Sequence, residues 1–352
     1  MKTIKDLDIK DKNILVRVDY NVPIKNGKIT DDLRIRASLP TLKYLRQNGA
    51  DKIILISHLG RPEGRNPELS LKPIADHLNK LIGNVTFIDE VSGPKVKSAT
   101  ANLKPGQILL LENLRFFPGE KANSPEFIQD IVASTGADAY VQDGFAVVHR
   151  AHASTDAIKD FLPVYAGFLI ASEVQNLENA TKNIANFQNS LLIIGGAKVE
   201  DKQPLIDQLA PNFTHVFVGG KIAADGYVPD DLKIAVATDF DEDSEGRKLD
   251  IGPLSTGLLA NRIVDADLII WNGLLGYAED PAYATASTIA AELIGEKPSA
   301  TTIICGGDTT GFVENLMRDH QNLQYSLVST GGGAALEFLL GKKLPGIEAI
   351  LA

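Results

Sequence analysis

The chain has 352 residues, 44% apolar and 23% charged, with a formal net charge of −10. That length exceeds what one hydrophobic core serves, so two domains are expected, and the acidic balance argues against a nucleic-acid or anionic-membrane surface. A single cysteine, Cys305, excludes an internal disulfide and a cysteine-rich metal cluster; no apolar run reaches the roughly 20 residues of a membrane span, and MKTIKDLDIK is unlike a secretory leader, so a cytoplasmic protein is expected.

Short runs rich in isoleucine, leucine and valine recur at helix-length intervals. NILVRV (13–18), KIILIS (52–57), VTFI (85–88), QILLLE (107–112) and DAYVQD (138–143) come first. LLII (191–194), HVFV (215–218), KIAVAT (233–238), DLIIW (267–271), TTIIC (301–305) and YSLVS (325–329) follow. Continuous apolar strands joined by helices predict parallel sheets covered on both faces. Their number predicts two Rossmann-like α/β domains, one over residues 1–165 and one over 187–339. Between them, 166–186 reads as a connecting helix and hinge, with Leu169, Val174, Leu177 and Ile184 along one face. The last residues, within 340–352, are apolar enough to pack.

Eight of the eleven arginines precede residue 152. RVDYNVP alternates Arg17, Asp19 and Asn21 at a strand end, where Asp19 and Asn21 can bind substrate hydroxyls. DDLRIRASLP carries Arg34, with Arg36 turned to solvent. SHLGRP supplies His58 and Arg61, LENLRFFPGE supplies Arg115, and HRAHAS supplies His149, Arg150 and His152. A guanidinium fork matches carboxylate or phosphate in a bidentate way. A surface salt bridge explains any one of these arginines; the ensemble points to a small, strongly anionic ligand. The 149/152 histidine spacing suits a metal, yet no other histidine or cysteine completes a zinc site.

Later strand exits carry glycine instead: IIGGAK (193–198), FVGGK (217–221), WNGLLG (271–276), CGGDT (305–309) and STGGGAA (329–335). Ligands collect beyond the carboxyl ends of an open parallel sheet, and glycine lets backbone N–H groups approach a phosphate there. Lys198 and Lys202, four apart in AKVEDKQPLIDQL, are expected on one helix face with an anion between them. Asp308, before Thr309 and Thr310, can present a carboxylate to a phosphate-bound magnesium ion or cap a helix. Neither a Walker pattern nor the protein-kinase loops are present, so a nucleotide site here follows another design.

RVDYNVP (17–23), DDLRI (31–35), SHLGRP (57–62), LLENLRF (110–116), HRAHAST (149–155), GGAKVEDK (195–202), LDIGP (249–253), WNG (271–273), GGDT (306–309) and STGGGAALEFL (329–339) together resemble the phosphoglycerate kinases, in that family's order. The resemblance implies reversible phosphoryl transfer from 1,3-bisphosphoglycerate to ADP, giving 3-phosphoglycerate and ATP, with Mg2+ accompanying the nucleotide. It implies that Asp19, Asn21, Arg34, His58, Arg61, Arg115 and Arg150 hold the phosphoglycerate in the first domain, to which the tail 340–352 returns. Lys198, Lys202, Gly219, Gly220, Asn272, Glu279, Gly306, Gly307, Asp308, Thr309, Gly331, Gly332 and Gly333 would surround the nucleotide, with Asp308 serving the magnesium. Arg34 and Lys202 would compensate the moving charge. Only small-molecule partners and a monomer are expected. A non-catalytic anion- or nucleotide-binding relative, or a kinase for another carboxylate, stands as the alternative.

Departures from the family pattern are concentrated in the second half. QDGFA (142–146) stands for an NDAFG-like segment, KVEDK for KVSDK, and WNGLLGYAE for WNGPxGxFE. After Gly219 and Gly220 a long helical stretch is compressed into KIAADGYVPDDLKIAVATDFDEDSEGRKLD, so part of the adenine pocket must be missing or rebuilt. Two half-sites on separate domains must meet to exclude water, which predicts hinge closure. A smaller radius of gyration is expected when both ligands are bound; identical scattering from the free and doubly liganded protein would count against it.

Overall fold

The computed structural model describes residues 1–352 other than 26, 183, 230 and 232. The chain divides into two compact units, Met1–Ser172 with Lys343–Ala352, and Glu173–Lys342.

The first unit runs β1 (Asn13–Arg17), a small hairpin of β2 (Ile24–Lys25) and β3 (Lys28–Ile29), α1 (Leu33–Gln47), β4 (Lys52–Ile56), α2 (Lys72–Ile82), β5 (Val85–Phe87), α3 (Pro94–Ala101), β6 (Gln107–Leu110), α4 (Pro118–Lys121), α5 (Pro125–Thr135), β7 (Ala139–Gln142) and β8 (Val164–Ala166). Its parallel sheet has the order β5-β6-β4-β1-β7-β8. Central strands are buried along nearly their whole length, which is why they read as unbroken apolar runs. Helix boundaries follow local chemistry. Ser124 Oγ accepts from Phe127 N (3.1 Å) to start α5, and Gly136, left-handed at φ 57°, ends it.

Helix α6 (Phe168–Lys182) begins in the first unit and continues into the second. Its buried stripe is Ile170, Val174, Leu177 and Ala180. Leu169 is half-buried, and Ile184 lies beyond the helix in a short 3-10 turn, so the expected face is corrected by one position at its start and loses its last member. The cause is the helical period: Ile170, not Leu169, is four residues before Val174.

The second unit runs β9 (Ser190–Ile194), α7 (Val199–Leu209), β10 (His215–Val218), α8 (Gly220–Ala224), β11 (Ile234–Val236), β12 (Phe240–Glu242), β13 (Lys248–Ile251), α9 (Pro253–Asp265), β14 (Leu268–Asn272), α10 (Thr285–Gly295), β15 (Thr301–Cys305), α11 (Gly307–Asp319), β16 (Leu327–Val328) and α12 (Gly332–Leu339). Its parallel sheet has the order β11-β10-β9-β14-β15-β16. Leu191, Ile193, Trp271 and Ile304 are at the centre of its core. Strands β12 and β13 form a separate antiparallel hairpin. The final helix, α13 (Pro345–Leu351), packs in the first unit, where Gly346 N donates to Val148 O (2.9 Å). Among the described residues no helix is long and apolar enough to cross a membrane.

Strand order reverses between β1 and β7 in one sheet and between β9 and β14 in the other. At such a reversal successive connections leave over opposite faces, and a crevice opens beyond the carboxyl ends of the two strands. Motifs of both clusters follow these ends and those of neighbouring strands in the same sheets.

Asp143, just past β7, is fully buried. Its Oδ1 accepts from Leu169 N (3.0 Å) in the first turn of α6, and a Cβ on Gly167 would overlap the carboxylate. Burial raises its pKa from 3.8 to about 8. Protonated Asp143 therefore contributes stability that is complete below the unfolded value and lost as pH rises through about 8. Thermal unfolding from pH 5 to 8 should cost the wild type more Tm than Asp143→Asn; parallel profiles would contradict this account.

Candidate active site

Arg17 ends β1 inside the protein, only 1% exposed. Its Nη1 pairs with Glu120 Oε1 of α4 (3.3 Å) and donates to Ser154 Oγ (2.7 Å), while Nη2 donates to His58 Nδ1 (2.9 Å). Ser154 in turn gives its N–H and its hydroxyl to Glu120 (3.1 and 2.7 Å). His58, just past β4, is buried. Burial, then Arg17, Arg115, Arg150 and Arg34, hold its pKa well below the ordinary histidine value. The ring is neutral, and because Nδ1 accepts from Arg17 its proton sits on Nε2.

Arg115 follows β6, is buried, and donates to Gly60 O (2.7 Å). Burial, Arg150 and Arg17 lower its pKa to about 10. Arg34, in the first turn of α1, pairs with the buried carboxylate of Asp19. Asn21 is exposed, and its Oδ1 accepts from Gly60 N (2.8 Å), bracing the SHLGRP turn. Arg150 is half-buried with its Nε toward His149 Nε2 (3.2 Å), and Arg61 is exposed. His152 is half-buried, and burial lowers its pKa to about 4. Two ion pairs thus consume Arg17 and Arg34. Arg61, Arg115 and Arg150 form none within 4 Å among the described residues. Arg115 and Arg150 therefore act on a neutral imidazole without an ion pair of their own, while exposed Arg61 stands on the turn after His58, an arrangement suited to a multiply charged anion carrying acceptor oxygens.

In the second unit a cleft opens beyond the reversal between β9 and β14. A Cβ on Gly195 would overlap Leu274 O, and one on Gly273 would overlap Gly195 O, so these strand exits pack backbone on backbone. Gly196 and Gly220 line the cleft; Gly219 is buried against Leu275 and Phe217 and does not. Lys202 Nζ donates to Asn272 Oδ1, and the buried Asn272 amide donates to Cys305 Sγ (3.2 Å).

Several expectations are corrected. Helix α7 begins at Val199, leaving Lys198 as its N-cap in extended backbone (φ −130°, ψ 123°), so Lys198 and Lys202 do not share a helix face. Lys198 is instead an exposed ammonium at a helix start, where the dipole disfavours a cation and welcomes an anion. Asp308 is not the cap of α11, which is Gly306 at φ 94°, but lies in its first turn. Its exposed carboxylate lines the cleft and has no partner among the described residues. Thr309 is wholly buried and its Oγ1 accepts from Gly273 N (2.8 Å), which braces the exit of β14 and keeps the side chain from the cleft. Gly307 is exposed and Glu279, also exposed, lines the cleft. Gly331 caps α12, Gly332 packs on Gly307 N, and Gly333 is exposed. Among the described residues no cluster of three or more histidine, cysteine or carboxylate side chains could hold a metal.

Sequence reasoning missed Glu120 and Ser154, and it missed Phe240, Lys248 and Tyr277 on the cleft wall. Glu120 gives no local signal, because its partner Arg17 lies 103 residues away. Removing one member of a buried ion pair strands the other, at a cost of about 3–5 kcal/mol. Glu120→Ala should lower unfolding stability by about that amount in urea titrations, whereas a loss within experimental error would show that Arg17 needs no counter-ion.

The sequence profile described as "Phosphoglycerate kinase" matches residues 4–235 and 224–342. The chain is 37% identical over 400 aligned positions to the phosphoglycerate kinase of Dictyoglomus turgidum, covering 99% of this chain and 98% of the relative. It is 38% identical to that of Moorella thermoacetica at the same coverage. Among solved structures, phosphoglycerate kinase from Coxiella burnetii superposes with a TM-score of 0.81 at 31% identity, covering 99% of this chain and 98% of the other. That from Pyrococcus horikoshii OT3 gives 0.86 at 25%, covering 100% and 98%. With its paired parallel-sheet units and near-complete coverage by these relatives, the chain belongs to the phosphoglycerate kinase family.

Proposed function

We propose that the chain catalyses reversible phosphoryl transfer between 1,3-bisphosphoglycerate and ADP, with phosphoglycerate on the first unit and nucleotide on the second. A β-phosphate oxygen of ADP bonds to phosphorus as the bond from phosphorus to the C1 carboxylate oxygen breaks, releasing 3-phosphoglycerate and ATP. A carboxylate leaves well, so the step needs no enzyme nucleophile or general base; it needs alignment and charge compensation. The observation that carries this reading is the set of guanidiniums without an ion pair, Arg61, Arg115 and Arg150, on the segments that follow β4, β6 and β7 of the first sheet. With Asp19, Asn21, Arg34 and neutral His58, they match a ligand with phosphate, hydroxyl and carboxylate groups.

For the nucleotide, Lys198, Lys202 and the N–H groups at the starts of α11 and α12 suit the phosphates, and Glu279 at the cleft rim suits the ribose. Magnesium fits as an ion carried by those phosphates rather than held in a protein cage. Asp308 is a single unpartnered carboxylate on the cleft, and no multi-residue metal cluster accompanies it among the described residues. Bound there, the ion would neutralise phosphate charge. Arg34 and Lys202 compensate the charge of the transferred group. Small molecules as the only partners, a cytoplasmic location and a monomer belong to the same proposal.

We further infer that the second domain is shortened after Gly220. Alignment with the Dictyoglomus relative runs over 400 positions against 352 residues here, leaving at least 48 positions unmatched by this chain. The family profile also restarts within 224–235, which supports a break near there.

A coupled assay with 3-phosphoglycerate and MgATP tests the reaction. Turnover should fall about 10²–10³-fold in Arg34→Ala and in Lys202→Ala with Tm little changed. Absence of turnover with any nucleotide, despite binding of 3-phosphoglycerate, would overturn the reading in favour of a non-catalytic binder.

A further inference from the structure

Arg61 and Arg115 lie on different connections of the first unit, Arg61 between β4 and α2 and Arg115 in the turn after β6. Asn113, fully buried two residues before Arg115, is bonded to both. Its Nδ2 donates to Leu59 O (2.8 Å) and Leu69 O (3.0 Å), and its Oδ1 accepts from Arg115 N (3.0 Å). We propose that Asn113 is a positioning residue for the anionic substrate: one amide closes the loop that carries Arg61 and fixes the backbone of Arg115 against it. The proposal rests on the phosphoglycerate reading above and names what sets the spacing of two of its guanidiniums.

The loop from Leu59 to Leu69 is irregular apart from a 3-10 turn at Pro67–Leu69. In its middle Arg65 reaches Glu90 (3.3 Å), an exposed pair that water and salt weaken. Its two ends are held more firmly. Drawing Leu59 O and Leu69 O to one NH2 group means that the ends cannot part without leaving a buried amide unpaired. Gly60, left-handed at φ 65°, completes the closure, since a Cβ there would lie 2.9 Å from Leu69 Cδ2. Both backbone groups of Gly60 are also taken: its N–H donates to Asn21 Oδ1 (2.8 Å) and its carbonyl accepts from Arg115 Nη1 (2.7 Å). The residue immediately before Arg61 is therefore fixed on every side. Buried Glu112 repeats the device at the far end, accepting from Asn113 N (2.8 Å), Leu71 N (2.9 Å) and Ser70 Oγ (2.8 Å).

The residue type suits the task. A side-chain amide offers two N–H donors and an acceptor on one rigid plane, whereas an ionised aspartate offers acceptors only and a leucine neither. A loop left open would have to be ordered by the ligand itself, which weakens binding. Closed beforehand, it leaves only the exposed Arg61 side chain to be ordered. Asn113 is shut away from water and acts through the backbone of the two arginines, not on the substrate.

Calorimetry of 3-phosphoglycerate binding without nucleotide, and steady-state kinetics, both on the full chain, test this. Asn113→Asp keeps an acceptor for Arg115 N and removes both donors to the loop. It should raise the Kd and KM for 3-phosphoglycerate about 10–100-fold with the KM for MgATP unmoved, and hydrogen exchange over residues 59–70 should quicken. Ser70→Ala, a half-buried position, loosens the far end of the loop with the amide in place and should raise the same Kd about threefold. An Asn113→Asp protein that melts lower yet binds 3-phosphoglycerate as tightly as the wild type would overturn the proposal, and if that variant does not fold, an unchanged Kd in Ser70→Ala would do so. Binding that weakens as expected in a chain whose wild type shows no turnover would keep the positioning role and overturn the phosphoryl-transfer reading. A wild type that does not bind 3-phosphoglycerate would overturn both.

Discussion

Arg17, shut away from water, is held beside a carboxylate, and its contact with Glu120 is the fixed point of the first half-site. Arg17 closes β1, the strand from which the sheet order departs in both directions, and its second nitrogen fixes the tautomer of His58. Ser154, bonded to both members, ties the segment after β7 to the same point. With Arg17 paired to Glu120 and Arg34 to Asp19, Arg61, Arg115 and Arg150 are left without an ion pair among the described residues. Positive charge left over in this way suits an anionic ligand.

Both units solve the placement problem in the same way. Each sheet is parallel and reverses its order once, and each motif cluster follows the carboxyl ends of strands near that reversal. The two regions differ in what they offer an anion. The first presents side chains with formal charge. The second presents closely packed backbone at Gly195 and Gly273, helix starts at α7, α11 and α12, and two lysines. A triose phosphate with several small charged groups suits the former, whereas a chain of phosphates suits the latter.

Much of this was legible from residue order. Strands buried on both faces leave unbroken apolar runs, and every such run became a strand of one of the two large sheets. Edge strand β8 left no mark because Val164–Ala166 sits between Pro163 and Gly167 and carries one β-branched aliphatic residue. The β12–β13 hairpin was equally silent, since its strands FDE and KLDI mix charged with apolar residues and hold no apolar run. Candidate residues stood out in the sequence where a strand end or glycine turn announced them, as with His58, Arg115 and Asp308. They were illegible where the role depends on a distant partner, as with Glu120. Thr309 and Lys198 show a finer limit. Which way a side chain points, and whether a helix begins one residue sooner, depends on packing and capping that a motif does not record.

The central claim is that the guanidiniums left over after the internal ion pairs form the seat of a phosphate. A crystal structure with 3-phosphoglycerate bound tests it most directly. The account predicts the ligand beyond the carboxyl ends of β1 and β7, its phosphate within hydrogen-bonding reach of guanidinium groups from Arg61, Arg115 and Arg150. Density for the phosphate elsewhere, with those three side chains turned to solvent, would contradict it.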